Sequence, residues 1–200
     1  MAEGDNIALR ADKLAIRRGA RELFHDLSFV VRAGEYVEVR GANGAGKTSL
    51  LRALAGFLKP SAGQIHFDAA EEPALALHYL GHLNGLKGSA SVSAHLRYWS
   101  GLFGVSSSLE QSAARLGLMA LRDLPARVLS QGQQRRLALA RLLIAPRPIW
   151  LLDEPAASLD GAGRTLIGEL VDSHRQRGGL AIAAVHEPLG PTAHASVILA

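Results

Sequence analysis

The chain has 200 residues, of which 48% are hydrophobic, and a net charge of +4; this is enough for one compact domain with its own core but not for two full ones. Its lack of cysteine excludes disulfides and any cysteine-ligated metal or cluster. Apolar runs such as Leu180 to Val185 fall far short of the about 20 residues that cross a bilayer, and no run of consecutive Lys and Arg marks a dedicated basic arm. The mildly basic balance suits nucleic acid, anionic headgroups or a triphosphate. The first residues, Met-Ala-Glu-Gly-Asp-Asn, have neither the basic start nor the apolar run of a secretory signal, so a cytosolic location is expected.

In chain order, short extended segments around Ile7 to Leu9, Leu14 to Ile16 and Ser28 to Val31 predict a small antiparallel β region. Tyr36-Val37-Glu38-Val39-Arg40 alternates as a strand, and Ser49 to Gly56 reads as a helix. Between them, Gly41-Ala42-Asn43-Gly44-Ala45-Gly46-Lys47-Thr48 fits G-x-x-x-x-G-K-[ST]. Glycines there let backbone N–H groups close on phosphates, Lys47 adds charge for the β- and γ-phosphates, Thr48 offers a hydroxyl to Mg²⁺, and Ser49 continues the helix N-terminus. The chain therefore reads as a binder of a nucleoside triphosphate.

Lys59-Pro60-Ser61-Ala62-Gly63 breaks the helix, Gln64 to Phe67 predicts a strand, and past an acidic turn at Glu71-Glu72-Pro73 another strand is predicted from Ala74 to Leu80. Val92, Leu96, Trp99 and Phe103 recur at helical spacing, continued by Ala113, Leu116 and Ala120, so residues 90–128 read as a helical insert with an aromatic core stripe. A helix from Ser130 carries Leu139, Leu142 and Leu143 on one face and Gln134 and Arg141 on the other, until Pro146 and Pro148 stop it. The strand Ile149 to Leu152, a helix near Gly163 to Arg175 and the strand Leu180 to Val185 then give a βα order that favours a two-sided parallel sheet.

Asp153 and Glu154 end the apolar strand where a phosphate-loop enzyme needs an acidic group for Mg²⁺; Asp153 is the metal candidate and Glu154 the base for an attacking water. Leu129-Ser130-Gln131-Gly132-Gln133 satisfies a capping box, Ser130 with Gln133, and so describes an ordinary helix start as well as anything more specific. At these residues the chain resembles the ATP-binding-cassette ATPases, from about residue 7 to 199. The resemblance implies an α/β phosphate-loop NTPase fold, with an N-terminal antiparallel β region and an α-helical subdomain at about 90–145 inserted in a RecA-like core, all in a single domain over 1–200. It further implies ATP and Mg²⁺ as cofactors and an ATP-closed dimer, in which Ser130, Gly132 and Gln133 of a second copy approach the γ-phosphate. By the same resemblance, Ser158-Leu159-Asp160 contacts the opposite subunit and His186 is the switch histidine beside the γ-phosphate.

Three positions depart from the cassette pattern. His82 stands near where a glutamine usually approaches Mg²⁺ and water, and offers a ring nitrogen instead; Gln131 replaces the first signature glycine. Ile16-Arg17-Arg18-Gly19 has no aromatic residue to stack on adenine, leaving the Arg18 guanidinium as a substitute and base specificity loose.

Together with the short chain and Gln133 to Arg141, these features are similar to the ATP-binding subunits of the bacterial haem exporters of cytochrome c maturation. That resemblance implies a peripheral ATPase on the cytoplasmic face of the inner membrane, docked on integral membrane subunits and touching haem only indirectly. The eight histidines show no haem-attachment spacing of their own. Another small-molecule exporter, a soluble cassette ATPase acting on DNA or ribosomes, and a small-molecule kinase are the alternatives; the absence of heptads and of a duplicate phosphate loop disfavours the second, so no nucleic-acid partner is expected.

Overall fold

The computed structural model describes residues 7–68, 72–105 and 109–199. The first six residues and Glu71 of the acidic turn lie outside the described residues. The described residues form two compact units: one holds residues up to 81 with 147–155 and 168 onward, the other holds 82–146 and 156–167.

In the first unit, β1 (Ala8–Arg18) and β2 (Arg21–Arg32) form a long antiparallel hairpin, with β4 (Ala62–Asp68) on the other side of β1. The separate short segments expected at 7–9, 14–16 and 28–31 are thus pieces of two long strands. Register shifts along β1 absorb the polar stretch that breaks the alternation, and Lys13 and Asp26 adopt positive φ there, at 45° and 52°.

The second sheet is parallel throughout, ordered β5 (Leu77–Leu80), β6 (Ile149–Asp153), β7 (Leu180–Ala184), β3 (Tyr36–Gly41) and β8 (Ala195–Leu199). Every residue of β6 and β7 is buried, which explains their continuous apolar runs. Leu9, Leu14 and Val31 of the antiparallel sheet share a core with Val37, Val39, Leu151, Ile182 and with Leu50, Leu51 and Leu54 of helix α1 (Lys47–Leu54). At about 25 cal/mol per Å² of apolar surface, this burial is the main force holding the sheets together.

Two expectations change here. Helix α1 starts at Lys47, earlier than Ser49, and ends at Leu54. Pro73–Ala76 forms the short helix α2, leaving only Leu77–Leu80 as strand, because Pro73 opens a helical turn and three of the next residues, Ala74, Leu75 and Ala76, favour helix over strand. Strand β8 was not anticipated.

The second unit contains α3 (Val92–Phe103), α4 (Leu109–Arg115) and α5 (Gln131–Ile144), with α5 packed on both others. Ser91 caps α3, its side chain accepting from the Ala94 amide, and Gly104 ends it at φ 64°. The helical pattern expected through Ala120 stops at Arg115, since Gly117 turns left-handed; Leu116 and Leu118 nevertheless remain fully buried. Nor is the polar side of α5 a solvated face. Gln134 Nε2 donates to the carbonyls of Ala126 and Leu129, and the Arg141 guanidinium lies 5.5 Å from the Trp99 ring centroid. Helix α6 (Gly161–Gln176) completes the chain's helices among the described residues. No described helix is long and apolar enough to cross a membrane.

Candidate functional site

Adjacent parallel strands bring the chemistry to one edge. Val39 of β3 and Asp153 of β6 are both in register with Ala184 of β7, so these three residues form one row across the sheet. One or two residues farther along each strand come Gly41, Glu154 and His186. The carboxyl edge of a parallel sheet is where open α/β folds bind ligands.

The loop's shape rests on glycine. Gly41 has φ 152°, and a Cβ there would meet the Leu199 carbonyl oxygen at 2.5 Å. Gly46, at φ 105°, occupies the N-cap of α1 without a side-chain cap, so the first amides of the helix are left to an anion. Lys47 is 6% exposed, and its Nζ donates to the carbonyls of Gly41 (2.7 Å) and Ala42 (3.2 Å). This folds a positive charge into the loop that Ala42, Asn43, Gly44 and Ala45 complete, with Ser49 following on α1.

Thr48 Oγ1 donates to Asp153 Oδ1 at 3.1 Å, and Asp153 is 1% exposed. The two are hard oxygen donors on neighbouring elements, the chemistry that Mg²⁺ prefers. Cis ligands of an octahedral ion at about 2.1 Å stand about 3.0 Å apart, so the pair's spacing fits that ion. Among the described residues, no group of three or more His, Cys, Asp and Glu could hold a metal ion, and His82 is in no such group.

Glu154 adopts a left-handed φ of 48°, with its amide donating to the Ala184 carbonyl at 3.0 Å. A non-glycine residue held there stores strain that packing must offset. The turn sends the carboxylate toward His186, whose Nε2 lies 3.0 Å from Glu154 Oε1. Tyr79 on β5 also neighbours the site: burial and then the Asp153 charge push its phenol up to about 12, so it stays protonated near neutrality. A cavity of about 490 Å³ opens beside the loop, lined by Asn43, Gly44, Gly46, Lys47, Thr48 and Ser49, by Glu154 and by the β1–β2 hairpin.

In the second unit, Ser130 caps α5: its Oγ accepts from the Gln133 amide at 3.2 Å while Gln133 Oε1 accepts from the Ser130 amide at 2.9 Å. The hydroxyl hydrogen is still available to donate, so capping and anion binding are compatible. Gln131 Oε1 accepts from Ser158 Oγ at 3.2 Å, and a Cβ on Gly132 would lie 3.0 Å from the Ser158 carbonyl oxygen. His82 is exposed and lines a cavity of about 490 Å³ with Gln131, Gln134 and Ser158. Lys47, Thr48, Asp153, Glu154 and His186 thus share the first unit; Ser130, Gly132, Gln133 and His82 belong to the second.

Residues 24–157 match the model of a family described as ABC transporter. The chain is 42% identical to the cytochrome c biogenesis ATP-binding export protein CcmA of Agrobacterium fabrum, over 91% of this chain and 90% of that protein. It belongs to the ABC transporter family. Proteins of the same name from Hyphomonas neptunium (44% identity, 96% of both chains) and Rhodopseudomonas palustris strain BisB5 (49%, covering 86% and 88%) extend the match. The fold of this ABC ATPase is that of solved relatives. A chain from Pyrococcus furiosus described as an ABC transporter ATP-binding protein superposes with a TM-score of 0.84 at 22% identity, covering 96% of this chain and 97% of its own. The ATP-binding subunit of another ABC transporter superposes at 0.77, also at 22% identity, over 89% of this chain and 79% of its own.

Sequence reasoning missed three participants in this cassette. Tyr79 was read only as part of a strand. Glu38, 1% exposed on β3, accepts from Tyr36 Oη and Arg40 Nε at 2.9 Å each, so the strand entering the loop carries a buried, paired carboxylate. His95 anchors residue 87: its Nδ1 donates to the Ser91 carbonyl at 2.8 Å, leaving Nε2 to accept from the Lys87 amide at 3.1 Å. The alternation of β3 signalled Glu38's face, but neither contact of His95 leaves a pattern in the chain.

Proposed function

We propose that this ABC ATPase is the motor subunit of the haem exporter of cytochrome c maturation, coupling ATP hydrolysis to haem delivery or chaperone release through integral membrane partners. The observation that carries the catalytic reading is the Glu154–His186 pair at 3.0 Å beside Thr48 and Asp153. Names of relatives at 42–49% identity support the setting in cytochrome c biogenesis.

The loop amides from Gly41 to Gly46 and the Lys47 ammonium hold the β- and γ-phosphates of ATP. Thr48 and Asp153 would hold Mg²⁺, which when bound neutralises charge on the phosphate oxygens. Glu154 accepts the proton of a water that attacks the γ-phosphorus in line, while the bond to the ADP oxygen breaks. His186 orients the Glu154 carboxylate and donates toward the γ-phosphate. The site is completed by a second copy, whose Ser130 hydroxyl and Gly132 and Gln133 backbone approach the same phosphate across an ATP-closed dimer. Loss of the γ-phosphate removes those contacts and reopens the pair. In this reading the chain is a single cassette domain, peripheral on the cytoplasmic face of the inner membrane, and His82 offers its ring nitrogen in the role of the glutamine that usually approaches Mg²⁺ and the attacking water.

The test is purification with its membrane partners in lipid nanodiscs, followed by titration of ATP while haem absorbance is recorded. An ATP-dependent haem change that Glu154→Gln stalls is the expected result. A complex that hydrolyses ATP with no haem signal would instead assign another exported molecule.

A further inference from the structure

The long side chain that Gln131 puts at the first position of α5, where the cassette signature has glycine, is turned onto its own chain. Its Oε1 accepts from Ser158 Oγ at 3.2 Å, 27 positions farther along. Two neighbouring contacts run the same way. The Gly132 backbone lies so close to Ser158 that a Cβ would stand 3.0 Å from the Ser158 carbonyl oxygen, and Arg136 Nη2 donates to Asp160 Oδ1 at 3.2 Å. The same Asp160 oxygen accepts from the Gly163 amide at 2.8 Å, which fixes it at the start of α6. All of these residues belong to the second unit.

Ser158 itself adopts a left-handed φ of 64°. A non-glycine residue in that conformation is strained and persists where its surroundings over-determine it. Here they include the Gln131 side-chain amide and the close backbone of Gly132, and a glycine at position 131 would bring no side-chain acceptor. Gln131 and Ser158 are both exposed, so replacing either does not open the core.

We infer that Gln131 is a positioning residue, a strut that presets the 158–160 segment against the signature turn for closure of two copies. This rests on the ATP-closed dimer proposed above. Ser130 and Gly132 then meet the second copy together with the 158–160 segment as one prearranged surface. Conformational freedom removed before association is not lost during it, so the strut favours closure without adding a contact to the other copy. In a two-fold dimer each strut counts twice.

The experiment uses the full chain carrying Glu154→Gln, alone and with Gln131→Gly, Gln131→Glu, Ser158→Ala or Gln131→Gly/Ser158→Ala, sedimented with ATP and Mg²⁺. Gln131→Gly should raise the dimer dissociation constant roughly 4- to 25-fold, from about 2- to 5-fold per copy for one net hydrogen bond. The double variant should be no worse than Ser158→Ala alone. Gln131→Glu keeps an acceptor for the Ser158 hydroxyl and should stay within about twofold of Gln131. ATP affinity of the monomer should not move, because Lys47 and Thr48 lie in the first unit. Hydrogen exchange on the nucleotide-free chain should show residues 157–160 exchanging faster in Gln131→Gly. Additive losses, or a dimer and an exchange pattern that Gln131→Gly leaves alone, overturn the strut; a tighter dimer would make the side chain an obstacle to closure. If the Glu154→Gln chain binds ATP and stays monomeric at every concentration, the dimer reading fails and the role in closure with it, while the exchange data still decide whether Gln131 holds the segment.

Discussion

Glu154 Oε1 and His186 Nε2 lie 3.0 Å apart although 32 positions separate the residues. The contact exists because β6 and β7 are parallel neighbours in register at Asp153 and Ala184, and because Glu154 turns left-handed immediately afterwards. A hydrogen-bonded carboxyl–imidazole pair at the carboxyl edge of a buried sheet, beside a phosphate loop, is placed to move one proton.

Replacing that proton acceptor should separate binding from turnover. Glu154→Gln is expected to retain ATP affinity by calorimetry and to lose roughly 10²- to 10⁴-fold in phosphate release. His186→Ala should lose less, and the double variant should be no worse than Glu154→Gln, since His186 acts largely through the carboxylate. Strict additivity of the two losses would show that they work independently.

The oxygen pair of Thr48 and Asp153 should set the response to metal. Asp153→Asn leaves a neutral oxygen in place of a charged ligand, so the Mg²⁺ concentration for half-maximal ATPase should rise at least about tenfold, with chelation abolishing turnover in both proteins. A Mg²⁺ titration of steady-state hydrolysis reads this directly, and an unshifted midpoint would remove Asp153 from metal binding.

Gly41 is the tightest point of the loop. Gly41→Ala combines a φ of 152° with a Cβ 2.5 Å from the Leu199 carbonyl oxygen, so β3 and β8 must part or the loop must rotate. The backbone strain alone costs about 1–3 kcal/mol. Chemical denaturation should show that loss, accompanied by weakened nucleotide binding; a variant with wild-type stability and affinity would contradict the geometry.

His174 gives the fold a pH dependence away from the site. The ring is buried, stacked on Trp150 at 3.9 Å, and its Nε2 donates toward the carbonyls of Pro148 and Leu180 at 3.2 Å each. Burial pushes it down to about 4. Below about 6.5 the unfolded chain takes up a proton that the folded chain refuses. The His174 contribution is therefore full above about 6.5 and lost as pH falls toward 4, by about 3 kcal/mol in all. Unfolding free energies of wild type and His174→Gln from pH 7 to 4 should converge as acid is added; parallel curves would refute this role.

Much of the architecture was readable along the chain because its signals are local. The phosphate loop is a run of glycines at fixed offsets between an alternating strand and a helix. The capping box at Ser130 and Gln133 occupies one turn, and the apolar runs of β6 and β7 reflect burial on both faces. Where competing local signals met, reading failed: Pro73 followed by helix-forming residues became α2, and Gly117 divided a pattern that looked continuous. Strand β8, with its outward residues exposed, is recognisable only by its pairing with β3.

The candidate site divides along the same line. Residue types and spacing sufficed to nominate Lys47, Thr48, Asp153 and Glu154, whereas His186 was nominated only by the resemblance to the cassette ATPases. Strand order and register, which are long-range pairings with no trace in any short window, placed Thr48 against Asp153 and Glu154 against His186. They likewise brought Tyr79 toward Asp153 and set Arg17 and Arg18 on the cavity beside the loop. A chain encodes its local conformations in neighbouring residues, but which distant groups meet depends on the whole sheet burying its apolar faces at once.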